Sequence, residues 1–357
     1  MEYRERKSIT PEEAVVLWQA SRLSLSKAYE KAPEILKVHN SVIGTLGNFS
    51  ASIGKAKSKK TFNVSAIVAA ALTNGIVLQY AAALPEDKRK ILYVDTEQSP
   101  YHCLKVARRI LRMAGLPTDR DNENLEFLAL RKHTPEERIA IVEQAIYRTD
   151  NIGLVIIDGI RDMVYDINSP SEATCIISRL MQWTDERQIH IHTILHQNKA
   201  DENARGHIGT ELNNKAETVL LVEKDEKDTD VSTVRAAHIR AMDFEAFAFR
   251  INGEALPELL DGYKFQKKEP GRPKKEKFDA YRDITEHQHR IALEAAFTLK
   301  DEYGYQELAE ALKSAYASVG VPLSDNKVVS LITTLKNKRM IVQENGRKYR
   351  FMPDFHY

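Results

Sequence analysis

The stretch that decides the fold reads Asn48-Phe49-Ser50-Ala51-Ser52-Ile53-Gly54-Lys55-Ala56-Lys57-Ser58-Lys59-Lys60-Thr61, and an apolar helical run from Phe62 to Leu72 follows it. An apolar strand, a short glycine-led loop ending in Lys-Thr and an immediate helix can surround a polyphosphate with backbone N–H groups. The spacing fits GxxxxGK[ST] except that Lys59 replaces the second glycine. A lysine in a glycine-only conformation costs about 1 kcal/mol or more. A solvated basic turn is the alternative for this lysine-rich loop.

If the loop binds a nucleotide, two side chains have defined tasks. Lys60 would reach the β- and γ-phosphates of ATP, and Thr61 would bind Mg²⁺. The remaining contacts would come mainly from the backbone of the loop and the first turn of the helix. The predicted nucleotide-binding residues are Gly54, Lys55, Ala56, Lys57, Ser58, Lys59, Lys60, Thr61 and Phe62.

Composition limits the classes of protein to consider. The chain has 357 residues, 43% of them hydrophobic, and a net charge of +1, so two domains are expected and no global field attracts nucleic acid or membrane. The N-terminus is charged and no run reaches 18 apolar residues, which predicts no membrane segment. Cys103 and Cys175 form no CxxC pair and suit buried thiols in a reducing compartment. We therefore expect a cytoplasmic protein.

Short apolar runs alternate with helical ones from Val42 to Ile251. This alternation predicts an α/β fold with a mostly parallel sheet covered by helices on both faces, and the late strands predict an antiparallel edge. The expected strands are Phe49–Ile53, Ile91–Val94, Leu125–Leu128, Leu154–Ile157, Ile189–Leu195, Val219–Val222, Val234–Ile239 and Phe247–Ile251.

Four segments are expected along the chain. Residues 1–40 are predicted to be helical, with an apolar stripe that packs either on its own domain or on a neighbouring subunit. Residues 41–262 form the α/β core, and 263–280 a basic linker broken by prolines. In 281–357, helices near 285–300, 305–318 and 325–338 precede two strand-like runs around Asn345-Gly346, which is the plan of a small winged-helix domain.

Polar residues end three of the predicted strands. Asp158 ends an apolar strand where a carboxylate can hold the ligand shell of Mg²⁺, although any buried strand can open into an acidic turn. Glu97 follows the next strand after the loop, where a carboxylate can polarise a water, and a surface acid is the alternative. Gln197 follows a third strand and can sense the γ-phosphate. His190, His192 and His196 are interpreted as packing residues rather than metal ligands.

Taken together, the loop, Val94-Asp95-Thr96-Glu97, Asp158 and Gln197 resemble the RecA-like P-loop ATPases over residues 40–251, and most closely the RepA-type and DnaB-type ring helicases with their AAA-like variant. The resemblance implies ATP and Mg²⁺ as cofactors, Lys60 and Thr61 as nucleotide and metal contacts, Glu97 as catalytic base, Asp158 as metal ligand and Gln197 as sensor. It also implies a homo-hexameric ring in which Arg240 reaches the nucleotide of the adjacent subunit. An Arg240 ion pair with Asp243 or Glu245 is the alternative.

DNA contacts are expected at three places. Lys199 and Arg205 lie in the loop that faces the central channel in the resembled family, where single-stranded DNA would pass. Arg272, Lys274 and Lys275 surround an AT-hook-like Gly-Arg-Pro in the linker, or simply form a solvated tether. The candidate recognition helix and wing would bind duplex DNA, unless they bind protein. Their basic residues are Lys327, Lys336, Lys338, Arg339, Arg347, Lys348 and Arg350.

Two functions remain open. The first is an ATP-hydrolysing, ring-forming DNA motor, a RepA-type replicative helicase of a plasmid or other mobile element, with a replication initiator or loader as a possible partner. The second is a nucleotide-switched DNA-binding ATPase scaffold or regulator that unwinds nothing, which Lys59 and the duplex-binding tail favour.

Overall fold

The computed structural model of the protein describes residues 9–197, 206–265, 278–344 and 348–355. The chain divides into two compact units, Met1–Lys264 and Phe265–Tyr357. None of the described helices is both long and apolar enough to cross a membrane.

Two sheets, six α-helices and two short 3-10 helices make up the described part of the first unit. The helices are α1 (Pro11–Ala20), α2 (Lys60–Thr73), α3 (Pro100–Met113), α4 (Pro135–Arg148), α5 (Pro170–Arg187) and α6 (Gly206–Lys215). The strands are β1 (Glu34–Val38), β2 (Ser41–Thr45), β3 (Phe49–Gly54), β4 (Ile76–Val77), β5 (Tyr80–Ala82), β6 (Lys90–Asp95), β7 (Leu125–Ala129), β8 (Ile152–Asp158), β9 (His190–His196), β10 (Thr218–Lys224), β11 (Val231–Ile239), β12 (Phe247–Ile251) and β13 (Pro257–Leu259).

The main sheet has the order β13-β12-β11-β10-β3-β9-β8-β6-β7. Pairing is parallel from β10 to β7, and β11, β12 and β13 extend it with antiparallel pairs. The fold class predicted from the alternation is confirmed. Because the six parallel strands run in one direction, their carboxyl ends meet at one edge of the sheet, and the expected polar residues follow three of these ends.

Helices cover both faces of this sheet. Alternate residues of β8 divide between two cores, since Leu154 and Ile156 pack with α2 and α3, whereas Val155 and Ile157 pack with α4, α5 and α6. This division follows from the two-residue period of a strand. Strands buried on both faces read as continuous apolar runs, which made them recognisable in the sequence.

The expected helical segment over residues 1–40 is wrong in its second half. Within the described part of this segment, residues 9–40, only α1 is helical, and its Thr10 cap forms a complete capping box. Strands β1 and β2 follow, and with β5 and β4 they form an antiparallel sheet of order β2-β1-β5-β4. No residue of α1 is buried, and Trp18 is 62% exposed.

Cys103 is buried as expected, but Cys175 is exposed because it lies on the outer face of α5.

The described part of the second unit contains three α-helices and a small sheet. The elements are α7 (Glu286–Phe297), β14 (Glu302–Tyr303), α8 (Tyr305–Ser318), α9 (Asp325–Asn337), β15 (Ile341–Glu344) and β16 (Lys348–Phe351). The sheet has the order β14-β16-β15, and a separate core unites Leu293, Leu312 and Leu335. Assignment of this unit to the winged helices stays a prediction.

A chain of buried polar side chains lies inside the main sheet. Ser50 Oγ is 2.7 Å from both His190 Nε2 and His192 Nδ1, and Ser52 Oγ is 2.8 Å from His192 Nε2. His190 Nδ1 lies 2.8 Å from the Thr45 carbonyl oxygen. Burial lowers the pKa of His192 to about 3 and that of His190 as well. Both rings are therefore neutral members of a hydrogen-bonded core, as their interpretation as packing residues expects.

The two histidines make the fold sensitive to acid. Each binds its proton in the unfolded chain below about pH 6.5 but not in the folded protein, so unfolding takes up protons. The free energy of unfolding should be constant above that pH and fall below it, by up to about 1.4 kcal/mol per pH unit for each histidine. Urea unfolding of wild type and His192→Gln at pH 5 to 7.5 measures this, and the variant should show a shallower slope. His102→Gln, at an exposed histidine, should keep the wild-type slope; equal slopes in all three proteins would contradict the account.

Candidate functional site

The phosphate-type loop joins β3 to α2 at the carboxyl edge of the sheet. Gly54 is required because a Cβ there would lie 2.2 Å from the Val222 carbonyl oxygen and 2.6 Å from Ser58 Oγ. Lys59 precedes α2 with φ 66° and ψ 29°, the left-handed conformation expected of the missing glycine. Its carbonyl accepts from the N–H groups of Phe62 and Asn63, so the helix begins directly at the loop. The backbone thus has the conformation that the motif predicts, despite the lysine.

A cavity of about 390 Å³ opens beside this loop. Its volume lies within the range of small-molecule sites, about 300–1,000 Å³. Among the predicted nucleotide and metal residues it brings together Lys57, Ser58, Lys59, Lys60, Thr61, Phe62, Glu97 and Asp158. Gly54, Lys55 and Ala56 shape the loop without lining the cavity, as far as the described residues show.

Lys60 carries the central positive charge. Its Nζ donates to the carbonyl oxygens of Gly54 and Lys55, both at 2.9 Å, and lies 3.2 Å from His196 Nδ1. Burial lowers the pKa of Lys60 to about 8, while the charges of Asp158 and Glu97 oppose this decrease. The ammonium is therefore mostly protonated at neutral pH and turned inward.

Asp158 and Thr61 form the candidate metal site. Thr61 Oγ1 donates to Asp158 Oδ2 at 3.1 Å, and the Tyr93 hydroxyl donates to the same oxygen at 2.9 Å. Burial, followed by the nearby Asp95 carboxylate, raises the pKa of Asp158 to about 7. A hydroxyl and a carboxylate are the hard oxygen ligands that Mg²⁺ prefers, and a cation would relieve the repulsion between the two acids. The residues present fit the ion.

Glu97 lies across the cavity, with its side chain 46% exposed. His196 Nε2 is 3.7 Å from Glu97 Oε1, and this contact lowers the pKa of Glu97, with smaller contributions from Lys60 and Arg161. The carboxylate is therefore ionised at neutral pH and can orient or deprotonate a water. His196 bridges Glu97 and Lys60, so its interpretation as a packing residue missed a site position. Its place one residue before Gln197 was the available signal.

Asp95, Arg109 and Arg161 also line the cavity and were not predicted as site residues. Asp95 is buried and accepts from the N–H groups of Glu97 and Gln98, at 3.0 and 2.7 Å, so it shapes the turn that carries Glu97. The Arg109 guanidinium lies 3.6 Å from the centre of the Phe62 ring. Asp95 stands inside the quoted Val-Asp-Thr-Glu stretch, whereas an arginine in mid-helix carries no sequence signal.

Gln197 and Arg240 stand apart from the cavity lining. Gln197 is buried, and its N–H donates to the Gly54 carbonyl at 3.1 Å, which joins the end of β9 to the start of the loop. Arg240 follows β11, is exposed, and donates from Nη2 to the Lys215 carbonyl at 2.8 Å. No pairing of Arg240 with Asp243 or Glu245 occurs in the described structure.

The predicted DNA contacts divide between described and undescribed residues. Lys199, Arg205, Arg272, Lys274, Lys275 and Arg347 lie outside the described residues. Lys327 and Lys338 stack over Phe278 and Tyr281, and Lys336 donates to Gln343 Oε1 at 3.0 Å. Lys348 lies 3.5 Å from Glu302, which Arg350 also contacts, and Arg339 follows α9 with φ 54°.

The loop, the acidic strand ends and the parallel sheet define a site of the nucleotide-binding P-loop ATPase class. Residues 26–202 match the family model described as an AAA domain, which supports a nucleotide-binding ATPase. Among solved structures, the chain is similar to one titled the crystal structure of the RadB recombinase, with 15% identity, a TM-score of 0.42, and coverage of 59% of this chain and 90% of that chain. No curated protein matches the chain.

Removing the Lys60 ammonium should abolish nucleotide binding. Lys60→Ala removes the buried ammonium beside Asp158 and Glu97 that would meet a phosphate, so affinity for Mg-ATP should fall by more than about tenfold. Titration with a fluorescent ATP analogue measures it. Lys227→Ala removes an exposed lysine elsewhere and should bind normally. Wild-type affinity in Lys60→Ala would show that the loop does not hold phosphate.

Glu97→Gln should separate binding from turnover. The amide keeps the size of the side chain but cannot accept a proton from water, so Mg-ATP binding should persist while phosphate release drops by about 10² or more. Glu254→Gln, at an exposed acid, is the matched control and should keep wild-type turnover. Normal turnover in Glu97→Gln would remove Glu97 from the chemistry.

Proposed function

We propose that the protein is an ATP-hydrolysing, ring-forming DNA motor, a RepA-type replicative helicase of a plasmid or mobile element. One observation carries the ATPase part of this proposal: Lys60, Thr61, Asp158 and Glu97 surround a single cavity at the carboxyl edge of a parallel sheet. Each of these residue types has a distinct task in phosphoryl transfer, so their convergence supports hydrolysis rather than binding alone.

The chain's own residues divide the work. Lys60 would exchange the Gly54 and Lys55 carbonyls for phosphate oxygens, which match its charge better. Thr61 and Asp158 would hold Mg²⁺, which supplies neutralisation of the phosphate charge when bound. Glu97, held by His196, would orient the attacking water and accept its proton. Tyr93 and Asp95 keep the carboxylates of Asp158 and Glu97 in place.

The proposal of a DNA motor depends on a nucleotide site that two neighbouring subunits share. Arg240 is exposed and does not line the cavity of its own chain, which supports a role at a neighbouring subunit's nucleotide. In a homo-hexamer the channel loop with Lys199 and Arg205 would meet single-stranded DNA, and the second unit would meet duplex DNA or a replication initiator or loader.

A nucleotide-switched DNA-binding scaffold is the second candidate. The left-handed conformation of Lys59 favours it, because a strained loop suits a slow ATPase that reports nucleotide occupancy better than a fast motor. The two candidates share ATP and DNA binding and differ in strand separation.

A strand-displacement assay on a forked duplex distinguishes them. The wild type with Mg-ATP should release the labelled strand, and Glu97→Gln should bind the fork without releasing it. Native mass spectrometry of the same sample should give a ring of six copies. ATP-dependent DNA binding without displacement by the wild type would select the scaffold.

Arg240→Ala should bind ATP normally yet lose turnover by about 10³ or more, the scale of a missing arginine finger. Mixing it with Lys60→Ala subunits should restore activity at interfaces where an intact Arg240 faces an intact loop. Arg235→Ala, at an arginine of β11, the strand that precedes Arg240, should neither lose turnover nor give complementation. Wild-type turnover in Arg240→Ala, or in monomers isolated by dilution, would refute a shared site.

A further inference from the structure

The left-handed conformation at Lys59 has no local support. A side chain in this region meets its own backbone, and lysine lacks the short polar group with which asparagine or aspartate compensates. Lys59 stands at the cap position of α2, yet its side chain makes no capping hydrogen bond. A contact outside the loop can therefore offset the cost of this conformation.

The Lys59 ammonium provides that contact at a distant part of the chain. Its Nζ donates to the Thr229 carbonyl oxygen at 2.9 Å, across 170 residues of sequence. Thr229 lies in the turn of residues 225–230 between β10 and β11, where the charges of Asp230 and Asp228 attract the ammonium and that of Lys224 repels it. The side chain is thus directed to this turn by a hydrogen bond and by charge.

The turn itself is rigid enough to act as an anchor. Asp225 Oδ1 accepts from the N–H groups of Lys227 and Asp228, at 2.8 and 2.7 Å, and Asp228 Oδ2 accepts from Arg250 on β12 at 2.8 Å. The Tyr263 hydroxyl donates to Asp225, which brings the last residues of the first unit to the same turn. An anchored carbonyl can hold a strained partner, whereas a mobile one would follow it.

We propose that Lys59 is a positioning residue: its bond to the 225–230 turn holds the phosphate loop in the conformation that a glycine would adopt unaided. The inference rests on the proposed nucleotide site and adds a reason for its departure from the motif. The geometry of the phosphate loop then also depends on the 225–230 turn, to which Tyr263 is hydrogen-bonded. Any movement of that turn would release Lys59 and relax the loop away from its phosphate-binding shape.

Three substitutions at position 59 separate positioning from direct phosphate contact. Lys59→Met keeps the backbone strain and the stem but loses the bond, so Mg-ATP affinity should fall by about 5- to 30-fold, the scale of one left-handed residue. Lys59→Gly loses the bond and the strain together and should bind close to wild type. Lys59→Arg keeps a donor and should restore binding. Lys227→Met removes an exposed lysine of the same turn and serves as control.

The outcomes decide between the alternatives. Equal losses in Lys59→Met and Lys59→Gly would overturn the proposal in favour of an ammonium that contacts phosphate, and wild-type affinity in Lys59→Met would overturn it in favour of a solvated turn. For all variants, kcat should change less than the affinity for Mg-ATP, since Lys59 positions the loop and does not touch the reacting atoms.

Hydrogen exchange without nucleotide tests the same proposal independently of ATP. The N–H groups of Phe62 and Asn63 donate to the Lys59 carbonyl, so they should exchange faster in Lys59→Met than in Lys59→Gly or wild type. Unchanged exchange at these two amides would refute the positioning role. Failure of the wild type to bind any nucleoside triphosphate, with this exchange pattern intact, would refute the proposed function and leave the positioning role standing.

Discussion

The Lys60 ammonium and the carboxylates around it are the interaction on which the site depends. A buried cation is costly unless opposite charges and hydrogen-bond acceptors surround it, and here two loop carbonyls and the charges of Asp158 and Glu97 do so. Removing either the ammonium or the carboxylates would leave the remaining charge without an opposite charge beside it. Ionising the acids is correspondingly costly, since burial and, less strongly, Glu97 raise the pKa of Asp95, while burial and the Asp95 carboxylate raise that of Asp158 to about 7. The site thus holds its charges close together before any phosphate arrives.

That arrangement requires close backbone packing beneath it. The Gly54 backbone lies so near the Val222 carbonyl that a side chain would clash with it, and Gly159 (φ 103°) lies so near Thr96 Oγ1 that a Cβ would clash there too. Thr96 in turn donates to the Asp158 carbonyl at 3.1 Å. The end of β3 is therefore packed closely against β10, and the ends of β6 and β8 are joined by Thr96, which helps to fix the positions of Lys60, Glu97 and Asp158. Parallel strands bring such ends together, and these glycines let them approach.

The sequence predicted the parts of this design that follow from strong periodic patterns. Buried strands such as β8 read as unbroken apolar runs, and polar residues at their ends were placed at the right edge by topology alone. The antiparallel sheet of β1, β2, β4 and β5 was missed because its strands have two to five residues and include lysine, serine and glycine. His196 and Arg109 were missed for another reason. The role of Arg109 depends on a distance between elements far apart in the chain, which no local pattern records, and His196 was signalled only by its place one residue before Gln197.

The second unit contains similar numbers of acidic and basic residues, but the two kinds are separated along its sequence. Nine acidic and four basic residues lie between Asp279 and Asp325, whereas seven basic and one acidic residue lie between Asn326 and Phe351. Lys327 and Lys338 rest on aromatic rings, which orient an ammonium and leave its charge in place. Glu302 instead pairs with Lys348 and Arg350, so it offsets positive charge on β16. The basic side chains of this unit therefore lie mostly on α9 and on the residues that follow it, although the whole chain is nearly neutral, because the acidic residues lie earlier in the unit.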